Sequence, residues 1–263
     1  MNAFAQLLQS SPGHPPLGTW VMSASPLVAE AVGHAGFRWG VLDMEHTPLD
    51  GMEVLHLLQA VAGTAMLPVV RVPWNDAVVV KRVLDLGATT VLFPFVQNAE
   101  EARRAVAATR YPPAGVRGMA GMSRASRFGT TAGYLQHANE GVAVIVQLET
   151  PQAIDALESI ATVEGVDALF IGPADLSASI GHVGQLTHPA VLDLMGRAVQ
   201  RAHATGRPIG TVGGTPEVVI RYREMGFDFV GIASDLGLMM RAASAVVATL
   251  QPGAAVAPTS QGY

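Results

Sequence analysis

Four short segments of the chain end in polar residues whose types can do chemistry together. LDMEHTP carries Asp43, Glu45 and His46, and VVRVP carries Arg71. VQLETP carries Gln147 and Glu149, and FIGPADLS runs through Gly172, Pro173 and Ala174 to Asp175. Glu149 and Asp175 offer the hard oxygen donors that a divalent cation such as Mg²⁺ takes, with water and substrate oxygens completing its shell. The same two carboxyls can instead form an acid/base pair, as in glycoside hydrolysis. Arg71 discriminates between the two, because its permanent charge and planar fork suit an anionic substrate or a developing enolate oxygen rather than a neutral sugar ring. His46 is the one histidine expected at a strand end and is the natural general base near neutral pH. His34, His56, His137 and His203 fall in helical or loop segments and read as surface or packing residues.

What is missing narrows the chemistry further. The chain has no cysteine, so a disulfide framework, a thiol nucleophile, an iron–sulfur cluster and a cysteine zinc site are excluded. A Schiff-base mechanism needs a lysine at a strand end, and the single lysine, Lys81, lies inside a helical pattern. Carbanion chemistry would therefore have to use a metal. There is no GxSxG elbow and no P-loop, which leaves serine and nucleotide hydrolysis unsupported. Gly213-Gly214 can cradle a phosphate, but no second glycine-rich turn follows the last predicted strand to complete such a site.

These segments need a scaffold that brings distant strand ends together. Candidate strands are 18–23, 39–44, 67–72, 89–95, 142–149, 168–173, 208–212 and 229–234. Helical patterns near 26–36, 49–62, 76–87, 98–110, 151–163, 189–205, 216–226 and 235–250 alternate with them. Ser25-Pro26, Thr150-Pro151 and Thr215-Pro216 read as helix starts, since the first helical position does not need the N–H that proline lacks. Asn98 with Glu101 reads as a variant capping box. Eight strand–helix units predict a single-domain (β/α)8 TIM barrel, whose chemistry sits at the C-terminal ends of the strands. An open doubly wound sheet is the alternative, disfavoured because no strand leads into a GxGxxG turn. Any one strand-end carboxylate is explained by capping its helix; four polar ends on one rim are not.

The organisation expected is an N-terminal extension over 1–16, the barrel over 17–250, and a disordered tail over 251–263. A glycine-rich stretch at 111–141 with Arg117, Arg124 and Arg127 interrupts the pattern and reads as a functional loop at the barrel mouth. At 263 residues the chain matches the roughly 200–250 that α/β barrels use as one domain. It is 49% apolar and 14% charged, against about 25% charged as usual, which excludes disorder and coiled coil. No apolar run reaches the roughly 18 residues that span a bilayer, and MNAFAQLLQSSPGHPP has no signal-peptide pattern. A cytoplasmic protein is expected. A net charge of −5 offers no basic footprint for nucleic acid, so small molecules are the expected partners, with no nucleic acid and no membrane.

The stretches WGVLDMEH, PVVRVPWND, RYPPAGVRG, VQLET and VEGVDALFIGPADLSASIG, in this order over about residues 17–250, resemble the HpcH/HpaI aldolases, metal-dependent class II pyruvate aldolases. The resemblance implies a TIM barrel in which Glu149 and Asp175 bind a divalent cation (Mg²⁺, Mn²⁺ or Co²⁺), His46 is the base and Arg71 stabilises the enolate. It implies substrate contacts from Gln147 and along Gly172, Pro173, Ala174 and Asp175, with the backbone at Ala174. It also assigns Asp85, in VLDLGA, to raising the basicity of the histidine. In a closed barrel that residue should reach a mouth only on a neighbouring subunit, which implies a homo-oligomer, a trimer or hexamer by the resemblance. HTPLD after the histidine and TVGGTPE after the seventh strand depart from the family pattern, and both lie where the aldehyde part of a substrate would be read.

The reaction this implies is the reversible retro-aldol cleavage of a 4-hydroxy-2-oxo acid into pyruvate, or a close 2-oxo acid analogue, and an aldehyde. Two alternatives stand beside it. A CoA-ester lyase would need a site for a nucleotide and pantetheine arm, which no added C-terminal domain supplies. A catalytically idle barrel acting as a binding protein would have no use for the whole rim set.

Overall fold

The computed structural model describes residues 1–11 and 13–251. Eight parallel strands close into a barrel in chain order. They are β1 (Leu17–Val21), β2 (Trp39–Asp43), β3 (Leu67–Arg71), β4 (Thr90–Phe93), β5 (Ala143–Leu148), β6 (Ala168–Ile171), β7 (Ile209–Gly213) and β8 (Phe229–Ser234). The helices are α1 (Ala3–Gln9), α2 (Pro26–His34), α3 (Gly51–Val61), α4 (Ala77–Asp85), α5 (Ala99–Thr109), α6 (Tyr134–Gly141), α7 (Pro151–Asp155), α8 (Leu157–Ala161), α9 (Pro173–Ser179), α10 (Pro189–Ala204), α11 (Pro216–Glu224) and α12 (Asp235–Leu250). The expected TIM barrel is the observed fold. The predicted helix over 151–163 is broken at Ala156, and α1, α6 and α9 add to the expected units. The disorder expected of the tail falls on 252–263, outside the described residues. Among the described residues no helix is long and apolar enough to cross a membrane.

Side chains alternate faces along a strand, and this period fixes both core and site. One set packs outward beneath the helices, with Val21, Leu42, Val70, Phe93, Val146 and Ile171 in one cluster with the helical apolar residues. The other fills the lumen with Trp20, Trp39, Val41, Val69, Leu92, Ile145, Phe170 and Phe229. The lumen rings are large, and glycines opposite make room for them: a Cβ on Gly18 would lie 2.2 Å from the Trp39 ring, and one on Gly210 would lie 2.3 Å from Phe229. The expected N-terminal extension contains α1, which seals the barrel base. Phe4 meets Phe229 edge-on at 5.1 Å, and Asn2 caps α1 while donating to Asp167 at 2.8 Å.

Ser25, Thr150 and Thr215 cap the helices that open with Pro26, Pro151 and Pro216, as expected. Asn98 accepts from the Glu101 backbone N–H at 2.9 Å, but the Glu101 carboxylate accepts from Gln97, one residue earlier than a reciprocal box requires. A full capping box stands instead at Asp50 and Glu53.

Candidate active site

The lumen alternation turns polar at the top of the barrel. Trp39 and Val41 on β2 are followed inward by Asp43, and Val69 on β3 is followed by Arg71; Asp43 and Arg71 are register partners on adjacent strands. The guanidinium donates through Nε at 2.9 Å and Nη2 at 2.6 Å to the two Asp43 oxygens, with both side chains fully buried. Nη1 lies 3.0 Å from Glu45, and the guanidinium carbon sits 5.8 Å from the Trp20 ring centroid. A buried ion pair is costly unless its hydrogen bonds are made, and this bidentate geometry makes them while locking the fork in one orientation.

Inward positions of β5 and the turn after it carry Gln147 and Glu149, both buried. One Glu149 oxygen accepts from the Phe95 N–H at 2.9 Å. Burial, and after it a hydrogen bond shared with the Asp175 carboxyl, push the Glu149 pKa up to about 8. Asp175 stands in the first turn of α9, behind Gly172 and Pro173, where the helix dipole favours negative charge. Glu149 lies so close over Gly172 that a Cβ there would come within 2.7 Å of its Oε2. Gln147 Oε1 is buried with no hydrogen-bond partner. Burial also raises the Glu45 pKa, against the opposing charges of Arg71 and His46.

His46 stands at the outer edge of this mouth, its side chain 51% exposed and 3.9 Å from Glu45. The mouth thus gathers Arg71, Gln147, Glu149 and the turn from Gly172 through Asp175, with His46 on its rim. Asp85 does not join them. It ends α4, which runs back from the mouth toward the barrel base, and its carboxylate accepts from Arg117 at 2.9 Å. His34, His56, His137 and His203 are all exposed on helices, as expected.

Comparison with known proteins bears directly on this arrangement. Residues 17–242 match the sequence profile of the HpcH/HpaI aldolase/citrate lyase family. The chain belongs to that family. It is 52% identical over 236 residues, 90% of this chain and 92% of the relative, to the 2-dehydro-3,6-dideoxy-6-sulfogluconate aldolase of Pseudomonas putida. It is 45% identical over 222 residues, 84% of this chain and 87% of the relative, to the 5-keto-4-deoxy-D-glucarate aldolase of Salmonella arizonae. A crystal structure of an HpcH/HpaI aldolase/citrate lyase family protein from Burkholderia cenocepacia superposes with a TM-score of 0.91 at 40% identity, over 95% of this chain and 100% of that one.

In this HpcH/HpaI barrel the donors that face each other at the mouth are oxygens. Glu149 and Asp175 are hard carboxylate donors, which fit a cation that keeps water and substrate oxygens in its shell. The buried, facing carboxyls of Glu149 and Asp175 and the orphaned Gln147 oxygen are the features that a bound cation and an oxo-acid ligand would satisfy. Residue types alone assigned no task to Asp43 or to Phe95. The only sequence signal for Asp43 was its place as a polar residue at the end of an apolar run; the sequence carries none for Phe95.

Proposed function

We propose that the chain cleaves an acyclic 4-hydroxy-2-oxo acid of the deoxy sugar acid class into pyruvate and an aldehyde, and catalyses the reverse addition. The observation that carries this is the Glu149–Asp175 carboxyl pair facing the Asp43-locked guanidinium of Arg71 across one mouth. Glu149 and Asp175 would hold a divalent cation, Mg²⁺, Mn²⁺ or Co²⁺, which when bound supplies Lewis-acid polarisation of the 2-oxo group.

The chain's own residues do the rest. Arg71 pairs with the oxygen that becomes the enolate when the C3–C4 bond breaks, and its fork is fixed beforehand, so no reorganisation is needed as charge develops. Gln147 and the Ala174 backbone orient the oxo-acid end. His46 takes the C4 hydroxyl proton as the aldehyde forms, and a proton returned to C3 of the enolate completes pyruvate. Asp85 serves His46 from a second copy, so the active unit is a homo-oligomer. Apolar surface supports this reading: α12 leaves Met239, Met240, Val246, Val247 and Leu250 exposed, a face better suited to a copy of the chain than to water.

Pyruvate release from a panel of 4-hydroxy-2-oxo acids, with Mn²⁺ and after chelation, tests the proposal. Cleavage that is lost on chelation and restored by Mn²⁺ is expected, and borohydride with pyruvate should trap no adduct on Lys81. Cleavage of CoA esters alone, or full activity in metal-free protein, would overturn it.

A further inference from the structure

Between β4 and β5 the ladder is regular as far as Phe93 opposite Val146, and it resumes with the Val96 N–H donating to the Gln147 carbonyl at 3.0 Å. Pro94 and Phe95 together therefore stand opposite the single residue Gln147, one residue more than a regular ladder holds, a bulge of the kind that re-aims groups beside active sites. Phe95 has φ of 55°, a left-handed backbone that is unfavourable for any residue with a Cβ and persists only where its surroundings hold it. That conformation turns the Phe95 N–H onto Glu149 Oε1 at 2.9 Å, while Oε2 lies over Gly172.

The side chain of this strained residue has little core to hold it. Phe95 is 41% exposed, and its ring stacks on that of Trp74, itself 57% exposed, with centroids 6.0 Å apart and planes 27° from parallel. Trp74 sits on the turn between β3 and α4. That turn is closed by the Asp76 N–H donating to the Trp74 carbonyl at 2.8 Å and tied to α5 by Asn75 donating to the Glu101 carbonyl at 2.9 Å. The backbone that carries the Trp74 ring is thus anchored beside the Phe95 bulge.

We propose that the Trp74–Phe95 stack is a clamp that aims Glu149. Trp74 and Phe95 are positioning residues: the stack maintains the left-handed bulge, the bulge presents its N–H to Oε1, and Oε2 is thereby left over Gly172, at the start of the turn that carries Asp175. This rests on the reading of Glu149 as a cation ligand.

The test is the affinity of the full-length protein for Mn²⁺ alone, by calorimetry, with circular dichroism to confirm the fold. W74A and F95A should each weaken Mn²⁺ binding about tenfold, at the lower end of what losing an outer partner of a metal ligand costs. W74F should restore it by keeping a stacked ring. F95G should also restore it, because glycine adopts the left-handed backbone with no stack to enforce it. E149Q, measured alongside, should lose Mn²⁺ binding. If E149Q loses binding while W74A and F95A bind as wild type, the clamp is overturned and the ligand assignment stands. An F95G variant as weak as F95A would also overturn the clamp, since the ring and not the backbone would then matter. Wild-type affinity in E149Q would overturn the ligand assignment and the clamp together.

Discussion

Arg117 holds Asp85: its Nη2 donates to the carboxylate at 2.9 Å, and the arginine is buried while Asp85 keeps a 26% exposed side chain. The arginine-rich segment after α5, read from the sequence as a mouth loop, in fact clasps the far end of α4. Arg124 donates to the Leu86 carbonyl at 2.8 Å, and the Ala125 N–H donates to the Asp85 carbonyl at 3.2 Å. Arg117 also lies 4.4 Å from the Tyr111 ring centroid, a cation–π contact that fixes its plane. Asp85 is thus held on the flank of its own barrel, away from its own mouth.

The first prediction follows from that placement. Asp85→Ala and His46→Ala subunits, each inactive alone, should regain activity when mixed, refolded and verified as mixed oligomers. If each site takes His46 from one copy and Asp85 from the next, random assembly of equal amounts restores about a quarter of the sites in a symmetric oligomer. No recovery would show that each mouth is self-contained.

Arg71→Lys should be nearly as damaging as Arg71→Ala. A lysine cannot reproduce the double contact with Asp43 at 2.9 and 2.6 Å, and it offers a mobile point charge in place of a fixed plane. Losing a preorganised donor of this kind costs roughly 10²–10³ in rate. Asp43→Asn should fall in the same direction, because it unlocks the fork without removing it. Pyruvate C3 proton exchange, followed by NMR, isolates the enolate step; wild-type exchange in the lysine variant would remove Arg71 from it.

Proton linkage gives a third expectation. With its pKa raised from an ordinary 4.5 to about 8, Glu149 is mostly protonated at pH 7 in the cation-free protein. Binding a cation requires the carboxylate, so close to one proton should be released per Mn²⁺ bound at pH 7, measurable by calorimetry in buffers of different ionisation enthalpy. Affinity should rise about tenfold per pH unit up to 8 and then level off. The stability effect has the opposite sign. A carboxyl whose folded pKa is raised binds more protons folded than unfolded, so the chelated protein should lose stability as pH rises from about 4.5 to 8. Glu149→Gln should abolish both dependences.

Much of this arrangement was legible because the helix starts are chemically explicit. Ser25-Pro26, Thr150-Pro151 and Thr215-Pro216 locate three helices, and the strand ends fall between such marks. The short α1 was not legible, since Phe4 and Leu7 are its only buried residues and two apolar points define no period. Nor was the lumen: both faces of these strands are apolar, so Val41 facing inward and Leu42 facing outward look alike until the chain closes. The Asp43–Arg71 pair depends on a register between two strands, which no local pattern encodes. Phe95 is the extreme case, because phenylalanine is not a residue that favours positive φ, and only the surrounding contacts put it there.

Gly172→Ala separates function from stability most sharply. Gly172 has φ of −87° and ψ of 94°, which alanine adopts without strain, and such a change at a compatible position stabilises a fold by about 0.4–1 kcal/mol through the unfolded chain. Nothing in the backbone therefore demands glycine. What demands it is the mouth, where the new Cβ would meet Glu149 Oε2 at 2.7 Å and Gln147 Nε2 at 3.1 Å, displacing the two side chains proposed to hold the cation and the oxo acid. The melting temperature of Gly172→Ala should match or slightly exceed that of the wild type, while Mn²⁺ affinity falls by roughly 10–100-fold, as when the support of a metal ligand is lost, and pyruvate release falls with it. A variant that melts lower with its Mn²⁺ affinity intact would mean that the glycine serves packing and that Glu149 does not need the space above it.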